Sequence, residues 1–294
     1  FLGRAKALPC FLLEEEGKLK LTDPVSNYLP FLFFRYKGYD DPVDITLEML
    51  LHHKSGIPYK TITEIPEGDT EDKLYETVAM LQDTVLDFYP GTKYQYVTIN
   101  YDILGLVIQE ISGVSYETFI YDQILKPLGL NETYLFRDDA RDNGVLADGY
   151  RRSFFTTHYY EAPAFRGNTP AGYIISNIVD MERWMKIQMS VISVPEPFSK
   201  IIEKSHMGDI TVPSSNDYRY GGGWNVSFSE DSFFHGGNNP NYSSMISINK
   251  KNGIGVCVLS NINSNAAEYI VSSLMNQMQN KKALTFKHNI YYTM

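Results

Sequence analysis

The sequence predicts an α+β protein in which an antiparallel sheet is flanked by helices and joined to a mostly helical subdomain. Two observations carry this prediction. Apolar residues at helical spacing fill the middle of the 294-residue chain, whereas its last third holds consecutive short runs of strand-forming residues separated by turn residues. Consecutive strands joined by tight turns pair antiparallel, and helices segregated from them pack against the sheet they form.

The helical segments are predicted from their spacing and end residues. The first, to about residue 16, is apolar enough for a buried helix that Gly17 stops, and Pro9 either kinks it or marks its start. Residues 70–86 begin with an acidic turn, which suits a helix N-terminus. The remaining predicted helices are 45–51, 101–111, 115–125, 177–189 and 266–279.

The predicted strands lie together near the C-terminus. They are residues 224–228, 232–235, 243–249 and 253–260, and Asn252-Gly253 predicts a hairpin turn between the last two. We therefore expect a helical subdomain at about 46–165 and a sheet with its flanking helices at about 1–45 and 166–280. Residues 281–294 are expected to be a C-terminal tail that is cut short.

Composition and charge exclude several classes of protein. The net charge is −9 and basic residues occur only as short pairs, so a nucleic-acid partner is not expected. No apolar run reaches the roughly 18 residues of a spanning helix. The chain starts without Met or a signal peptide, and we expect both ends to be incomplete. Cys10 and Cys257 have no metal-site spacing, and a disulfide between them stays open.

A first candidate for chemistry is the segment from Pro90-Gly91 to Tyr96 and Thr98. Pro-Gly makes a tight turn, and the loop that follows leads into a helix, which suits the presentation of side chains into a cleft. Tyr96 is a candidate general base or acid if a nearby cation lowers its pKa. The alternative is a loop tyrosine that packs on the next helix.

A second candidate is His235-Gly236-Gly237-Asn238, at the end of a predicted strand. Glycines there let a ligand approach the backbone, whose N–H groups can bind an oxyanion, and the histidine can supply charge or a proton. A β-bulge is an equally good interpretation of the two glycines.

The third is His52-His53-Lys54-Ser55-Gly56. Adjacent histidines diverge and no third ligand stands at a suitable offset, so no zinc site is predicted. Ser55 lacks the strand–turn–helix context of a nucleophile. No metal or cofactor is expected.

In their order along the chain, these segments resemble the serine β-lactamase and penicillin-binding-protein superfamily, on its class C-like branch. Each matches one family pattern, from E-E-G-K-L-x-L-x-D-P-V through L-L-x-H-T-S-G-I and P-G-x-x-F-x-Y to P-L-G-M, P-A-G-G and H-x-G. The matching positions are 15–25, 45–57, 90–105, 127–133, 170–180, 220–224 and 235–237.

The resemblance implies a β-lactamase/DD-peptidase-like fold and a serine that forms an acyl-enzyme, helped by a lysine one helical turn later. Tyr96 matches the family's proton-shuttling tyrosine, His235 to Gly237 its His-x-Gly strand, and the backbone N–H of Asn238 its second oxyanion donor. The implied substrate is a small-molecule or peptide acyl compound, namely a β-lactam, a D-amino-acid peptide or an ester. The implied location is extracytoplasmic, in the cell envelope.

The sequence departs from the family at three places. Counted back from Gly17, the serine falls just before Phe1 and the lysine falls on Gly3. Lys6 can be the counterpart of that lysine only if about one helical turn has been deleted. Thr98 replaces an asparagine that would contact a substrate amide. The letters Ser-x-x-Lys also occur at 247–250, but on a predicted strand, and are a chance match.

Two functions follow as alternatives. One is a serine acyl-transfer hydrolase whose nucleophile-bearing piece is missing from this chain. The other is a catalytically inactive relative that binds cell-wall peptide or a protein partner.

Overall fold

The computed structural model describes residues 7–209 and 212–280. The α+β prediction is confirmed, because a five-stranded antiparallel sheet with strand order β5-β6-β7-β8-β9 lies among helices. The helices are α1 Leu8–Glu15, α2 Leu47–Leu51, α3 Lys73–Ala79, α4 Ile99–Ser112, α5 Tyr116–Ile120, α6 Lys126–Leu128, α7 Arg137–Asp142, α8 Ile178–Gln188, α9 Phe198–Ser205 and α10 Ala266–Met278. The strands are β1 Phe34–Arg35, β2 Thr84–Val85, β3 Tyr150–Ser153, β4 Thr156–Tyr159, β5 Tyr218–Tyr220, β6 Asn225–Ser227, β7 Ser232–Asn239, β8 Tyr242–Asn249 and β9 Ile254–Ser260.

The large sheet is a meander in which each strand pairs with the next along the chain. The hairpin predicted at Asn252-Gly253 joins β8 to β9, and Gly253 takes the left-handed conformation (φ +64°) that such a turn needs. The bulge interpretation of the two glycines is wrong. Gly236 pairs with Met245 and Gly237 with Ser244 in unbroken register, so β7 runs to Asn239, four residues beyond its predicted end.

The two faces of this sheet are covered by different helices. Met245 and Val256 pack in a small cluster with Val271 of α10 on one face. Ile246 and Ile248 lie on β8 with Met245 but belong to the main core on the other face, because successive side chains of a strand point to opposite faces. The helical part of the chain is thereby fixed to one side of the sheet.

Helix α4 is the centre of the helical part, and its residues from Ile99 to Ile108 are all buried. It ends where predicted, at Gly113, which is left-handed (φ +72°). Gly105 lies against Pro170, so close that a Cβ added at Gly105 would stand 2.3 Å from the proline Cγ. The absence of a side chain at Gly105 therefore brings the segment around Pro170 directly onto α4.

The helix predicted at 70–86 is too long. Helix α3 covers only Lys73–Ala79, after which Asp83 takes a left-handed conformation (φ +62°) and Thr84–Val85 pair in parallel with Phe34–Arg35. β-Branched side chains at 84 and 85 favour this strand, and the partner that selects it is distant in sequence. Local spacing could not reveal that pairing.

Three smaller predictions are resolved by the fold. Pro9 marks a helix start rather than a kink, because it stands in the first turn of α1, where no backbone N–H is required. Cys10 and Cys257 are not disulfide-bonded to each other, and burial raises the pKa of the Cys10 thiol to about 12. The 247–250 match to Ser-x-x-Lys lies at the end of β8, as predicted for a chance match.

In the described residues no one helix has the length and apolar character needed to cross a membrane. Helix α4 followed by residues Tyr116–Leu128 meets those criteria as a pair, with a bend of 82° between them.

The contact between Gly105 and Pro170 generates a stability prediction. At an ordinary helix position Gly→Ala stabilises by about 1 kcal/mol. Here Gly105→Ala forces a methyl group into Pro170 and should destabilise the protein by about 1–3 kcal/mol in urea unfolding. The control is Glu110→Ala on the exposed side of the same helix, which should change stability by no more than about 0.5 kcal/mol. Stabilisation by Gly105→Ala would contradict the packing described.

Candidate functional site

The loop that carries Tyr96 is held by the segment after α2. The backbone N–H of Gly91 donates to the Lys54 carbonyl (2.8 Å), and that of Gln95 donates to the His53 carbonyl (2.9 Å). Two chain segments far apart in sequence thus run side by side. Tyr96 is half-buried at the end of this loop, three residues before the start of α4.

His53 lies beneath Tyr96 and is fully buried. Its ring centroid stands 4.3 Å from that of Tyr96 and 4.6 Å from that of Tyr220. Burial lowers the pKa of His53 to about 3, and the neighbouring His52 acts in the same direction. His53 is therefore a neutral imidazole at physiological pH.

The hydrogen bonds of His53 select one tautomer. The Val97 backbone N–H and the Asn100 side-chain amide both approach its Nδ1 at 3.3 Å. Asn100 is oriented by Ser55, whose hydroxyl donates to the Asn100 carboxamide oxygen (2.8 Å) and leaves the amide nitrogen facing His53. Nδ1 must then accept, which puts the proton on Nε2, an atom that is buried without a hydrogen-bond partner among the described residues. The backbone of His53 is left-handed (φ +53°), a conformation that is uncommon for a residue other than glycine and that occurs preferentially at functional sites.

Tyr220 and His235 complete the group. Tyr220 ends β5, and its hydroxyl lies 3.2 Å from Nε2 of His235 on β7. The ring centroid of His235 stands 6.1 Å from that of Tyr96. The rings of Tyr96, Tyr220 and His235 therefore contact one another where the Tyr96 loop meets the sheet.

The second half of β7 offers an open strand edge beside this group. Strand β6 pairs with β7 only at Phe233 and Phe234, whereas β8 pairs with it all the way to Asn239. From His235 onward, one edge of β7 therefore has no neighbouring strand among the described residues. Backbone groups at such an edge are available to a ligand.

A cavity of about 600 Å³ lies between the Tyr96 loop and this edge of β7. The structure brings six sequence-predicted site residues together in its wall: Tyr96, Thr98, His235, Gly236, Gly237 and Asn238. The seventh, Lys6, lies outside the described residues. The hydroxyl of Thr98 is buried and has no hydrogen-bond partner among the described residues.

Charged groups are scarce in this wall. Among the described residues that line it, Glu268 is the one carboxylate and there is no lysine or arginine. Lys54, the nearest basic residue in sequence to His53, is buried in an ion pair with Asp209. The cavity thus favours a neutral, polar ligand over a strongly charged one.

The N-terminal end of α1 lies close to the Tyr96–Tyr220–His235 group. The turn between β5 and β6 packs so closely on it that a Cβ added at Gly222 would stand 2.7 Å from the Phe11 ring and 3.2 Å from Ala7. Gly222 is two residues from Tyr220. The first described residues of the chain therefore lie close to the group formed by Tyr96, Tyr220 and His235.

Several positioning residues escaped the sequence analysis. Asp102, buried in α4, accepts hydrogen bonds from the Asn168 side chain (2.6 Å) and the Ala171 backbone (3.1 Å), and both of those residues line the cavity. Asn100 and Ser55 fix the His53 ring. The signal for Ser55 and His53 was present in the matched motif, but nothing in the sequence indicated that they serve Tyr96.

The Nδ1 atoms of the two adjacent histidines both face groups of the protein. His52 Nδ1 faces the Tyr220 carbonyl oxygen at 2.8 Å, and Nδ1 of His53 is occupied by two donors. Over residues 7–209 and 212–280, His, Cys, Asp and Glu form no group of three or more that could hold a metal ion.

Comparison with known proteins finds relatives that match most of the chain. A family model described as Beta-lactamase matches residues 11–272. Protein flp of Staphylococcus aureus strain MW2 is 32% identical over 272 residues, which is 92% of this chain and 53% of that protein. The chain thus spans about half the length of the curated relative it matches.

Two solved structures resemble the fold. The octameric penicillin-binding protein homologue from Pyrococcus abyssi is 27% identical with a TM-score of 0.76, over 95% of this chain and 65% of that one. A class C β-lactamase from Rhodobacter sphaeroides is 20% identical with a TM-score of 0.68, over 90% and 80% of the two chains, and shows the fold alone.

Neutral, buried His53 generates a pH prediction. Its pKa falls from 6.5 in the unfolded chain to about 3 in the folded one, so the unfolded state binds more protons between those values. The stability contributed by His53 is complete above about pH 6.5 and is lost as pH falls toward 3, by about 1.4 kcal/mol per pH unit. In urea unfolding from pH 7 to 4, His53→Gln should show a slope against pH that is shallower by about this amount. Equal slopes in the two proteins would contradict a neutral His53.

Proposed function

Because the chain belongs to the β-lactamase family, we propose that its cavity receives the acyl group of a serine acyl-transfer reaction, the chemistry that hydrolyses β-lactams, D-amino-acid peptides and esters. One observation carries the proposal. Tyr96, His235 and the open edge of β7 line a single cavity, although they come from distant parts of the chain.

In this proposal the acyl group lies along β7. An extended substrate adds to the open edge between His235 and Asn239, and its carbonyl oxygen accepts from the backbone N–H of Asn238. Gly236 and Gly237 permit the close approach because no side chain stands on the strand there. Thr98 lines the same cavity, and because its hydroxyl has no hydrogen-bond partner among the described residues, we assign it the binding of a polar group of the substrate.

Tyr96 is the proposed proton shuttle. The serine Oγ forms a bond to the carbonyl carbon, the bond from that carbon to the leaving group breaks, and the serine proton passes by way of the Tyr96 hydroxyl to the leaving group. Water then attacks the acyl carbon, the bond from that carbon to the serine Oγ breaks, and one proton of the water passes by way of Tyr96 to the serine, while the acid product keeps the hydroxyl of the water. The contact between Tyr220 and His235 holds the imidazole beside this route. The proposal requires a serine outside the segments described here and, because Gly3 stands at the family's lysine position, it takes Lys6 as the candidate for that lysine.

The chemistry of the wall favours esters among the possible substrates. A peptide or β-lactam substrate presents an amide and, in many cases, a carboxylate. Thr98 stands where the family pattern has an asparagine, and among the described residues of the wall Glu268 is the one carboxylate and there is no lysine or arginine. A neutral ester has neither an amide nor a carboxylate, so it needs neither an asparagine at position 98 nor a lysine or arginine in the wall. A function of this kind fits a protein of the cell envelope.

The second candidate is a relative that binds an acyl compound, cell-wall peptide or protein partner without turnover. Pro9 favours it. Proline has no backbone N–H, so a helix continued from α1 toward a Ser-x-x-Lys turn would lose one hydrogen bond at Pro9 and would kink there.

The test uses the natural protein at its full length. A p-nitrophenyl ester and a fluorescent penicillin should acylate it, the ester faster. Tyr96→Phe should slow acylation on the order of a hundredfold or more, because the proton loses its carrier. Tyr94→Phe is the matched control in the same loop. Tyr94 lies 6.2 Å from His53 by ring centroids, and its substitution should leave the rate unchanged.

Two results would overturn this function. If neither probe labels the natural protein, the non-catalytic alternative stands. If Tyr96→Phe is acylated as fast as the unmodified protein, Tyr96 is not the shuttle.

A further inference from the structure

The hairpin formed by β3 and β4 stands out from the body of the protein. All four residues of β4 are exposed, and the two residues at the tip, Phe154 and Phe155, are 93% and 86% exposed. No other large apolar side chain among the described residues is as exposed as these two. The most exposed aromatic residues of the described chain thus stand next to each other at the end of a protruding element.

The backbone at the tip is unfavourable for these residues. Ser153 pairs with Thr156, so Phe154 and Phe155 form a two-residue turn, and both are left-handed (φ +48° and +66°). Turns of this kind strongly favour Asn-Gly, because a bulky side chain is strained in that conformation. The conformation of the turn therefore does not favour two phenylalanines here, whereas a role at the exposed surface does.

The charge of the hairpin differs from that of the rest of the chain. The protein carries a net charge of −9, but no acidic residue occurs between Asp148 and Glu161. Arg151 and Arg152 lie in this interval, both exposed, with Arg151 stacked over the ring of Tyr160 at 4.1 Å. Exposed apolar rings beside arginines match the two parts of an anionic lipid surface, its apolar boundary and its charged headgroups.

We propose that the β3–β4 hairpin docks this protein on an anionic membrane surface, with the Phe154 and Phe155 rings inserted at the headgroup boundary and Arg151 and Arg152 against the headgroups. A hydrophobic groove on a partner protein would also accept two phenylalanines. The arginines and the lack of acidic residues along the hairpin favour the lipid surface, because negative charge is spread over all of it.

The hairpin also adjoins the candidate site. Tyr159 and Tyr160, at its base, line a second cavity of about 610 Å³. Phe165, Tyr173 and Asn239 belong to the walls of both this cavity and the catalytic one. Docking by the hairpin would hold the two adjoining cavities near the membrane surface, whether or not the protein catalyses acyl transfer.

The test is co-sedimentation of the chain of residues 1–294 with phosphatidylcholine vesicles that contain phosphatidylglycerol, against vesicles of phosphatidylcholine alone. The protein should bind the anionic vesicles more strongly. The double variant Phe154→Asn/Phe155→Gly introduces the residues that the turn prefers, so its Tm should equal or exceed that of the unmodified protein. Its affinity for the anionic vesicles should fall on the order of tenfold or more. Arg152→Gln should weaken binding to the anionic vesicles about fivefold and leave binding to neutral vesicles unchanged.

Phe228→Asn is the matched control. Phe228 is also an exposed phenylalanine beside an arginine in a hairpin loop, with Arg219 5.8 Å from its ring, but Glu230 and Asp231 follow it. Its substitution should leave vesicle binding unchanged. Failure of the unmodified protein to bind anionic vesicles would overturn the proposal and leave a protein groove as the partner of the hairpin. Equal binding by the double variant would overturn it as well.

Discussion

The candidate site depends on one buried, neutral imidazole. His53 packs under the rings of Tyr96 and Tyr220 and accepts hydrogen bonds from Val97 and Asn100. These contacts join four parts of the chain, namely the end of α2, the Tyr96 loop, the start of α4 and the end of β5. The pKa of His53 is low because a charged imidazole in this position would be buried without a counter-ion. The same burial packs the His53 ring against the ring of Tyr96.

The open edge of β7 is the second constraint on function. Strand β6 leaves β7 after Phe234, and the exposed backbone from His235 onward then faces Tyr96 across the cavity. One side of the cavity is thus strand backbone, which offers hydrogen-bonding groups, and the other side carries the side chain of Tyr96. In the proposed mechanism, receiving an acyl group and attacking it are separate properties, and we assign the first to the described residues that line this cavity.

The sequence predicted the local features well. The β8–β9 hairpin and helix α4 follow from turn residues and apolar spacing, which act over a few neighbours. The 70–86 helix failed because strand Thr84–Val85 is selected by Phe34–Arg35, a partner that no local pattern reveals. The β3–β4 hairpin was missed because Phe-Phe is a poor turn sequence, and that same strain later suggested its role at a membrane.

The site was predicted only through the order of its motifs. No spacing rule places Tyr96 opposite His235, and each motif alone had a plain structural interpretation. The contributions of Asn100 and Asp102 were beyond sequence reasoning, because both act through hydrogen bonds to residues far along the chain. His53 first drew attention as half of an unconvincing zinc pair, whereas its structural importance comes from the aromatic rings around it.

The central claim is that this chain holds an acyl-receiving site regardless of its nucleophile. The most direct measurement is an NMR titration of residues 1–294 with N-acetyl-D-alanine methyl ester, followed through the backbone amides and the tyrosine rings. The account predicts saturable shifts of the Gly236, Gly237 and Asn238 backbone amides together with the Tyr96 ring. Saturable shifts confined to other parts of the protein, or none at all, would contradict it.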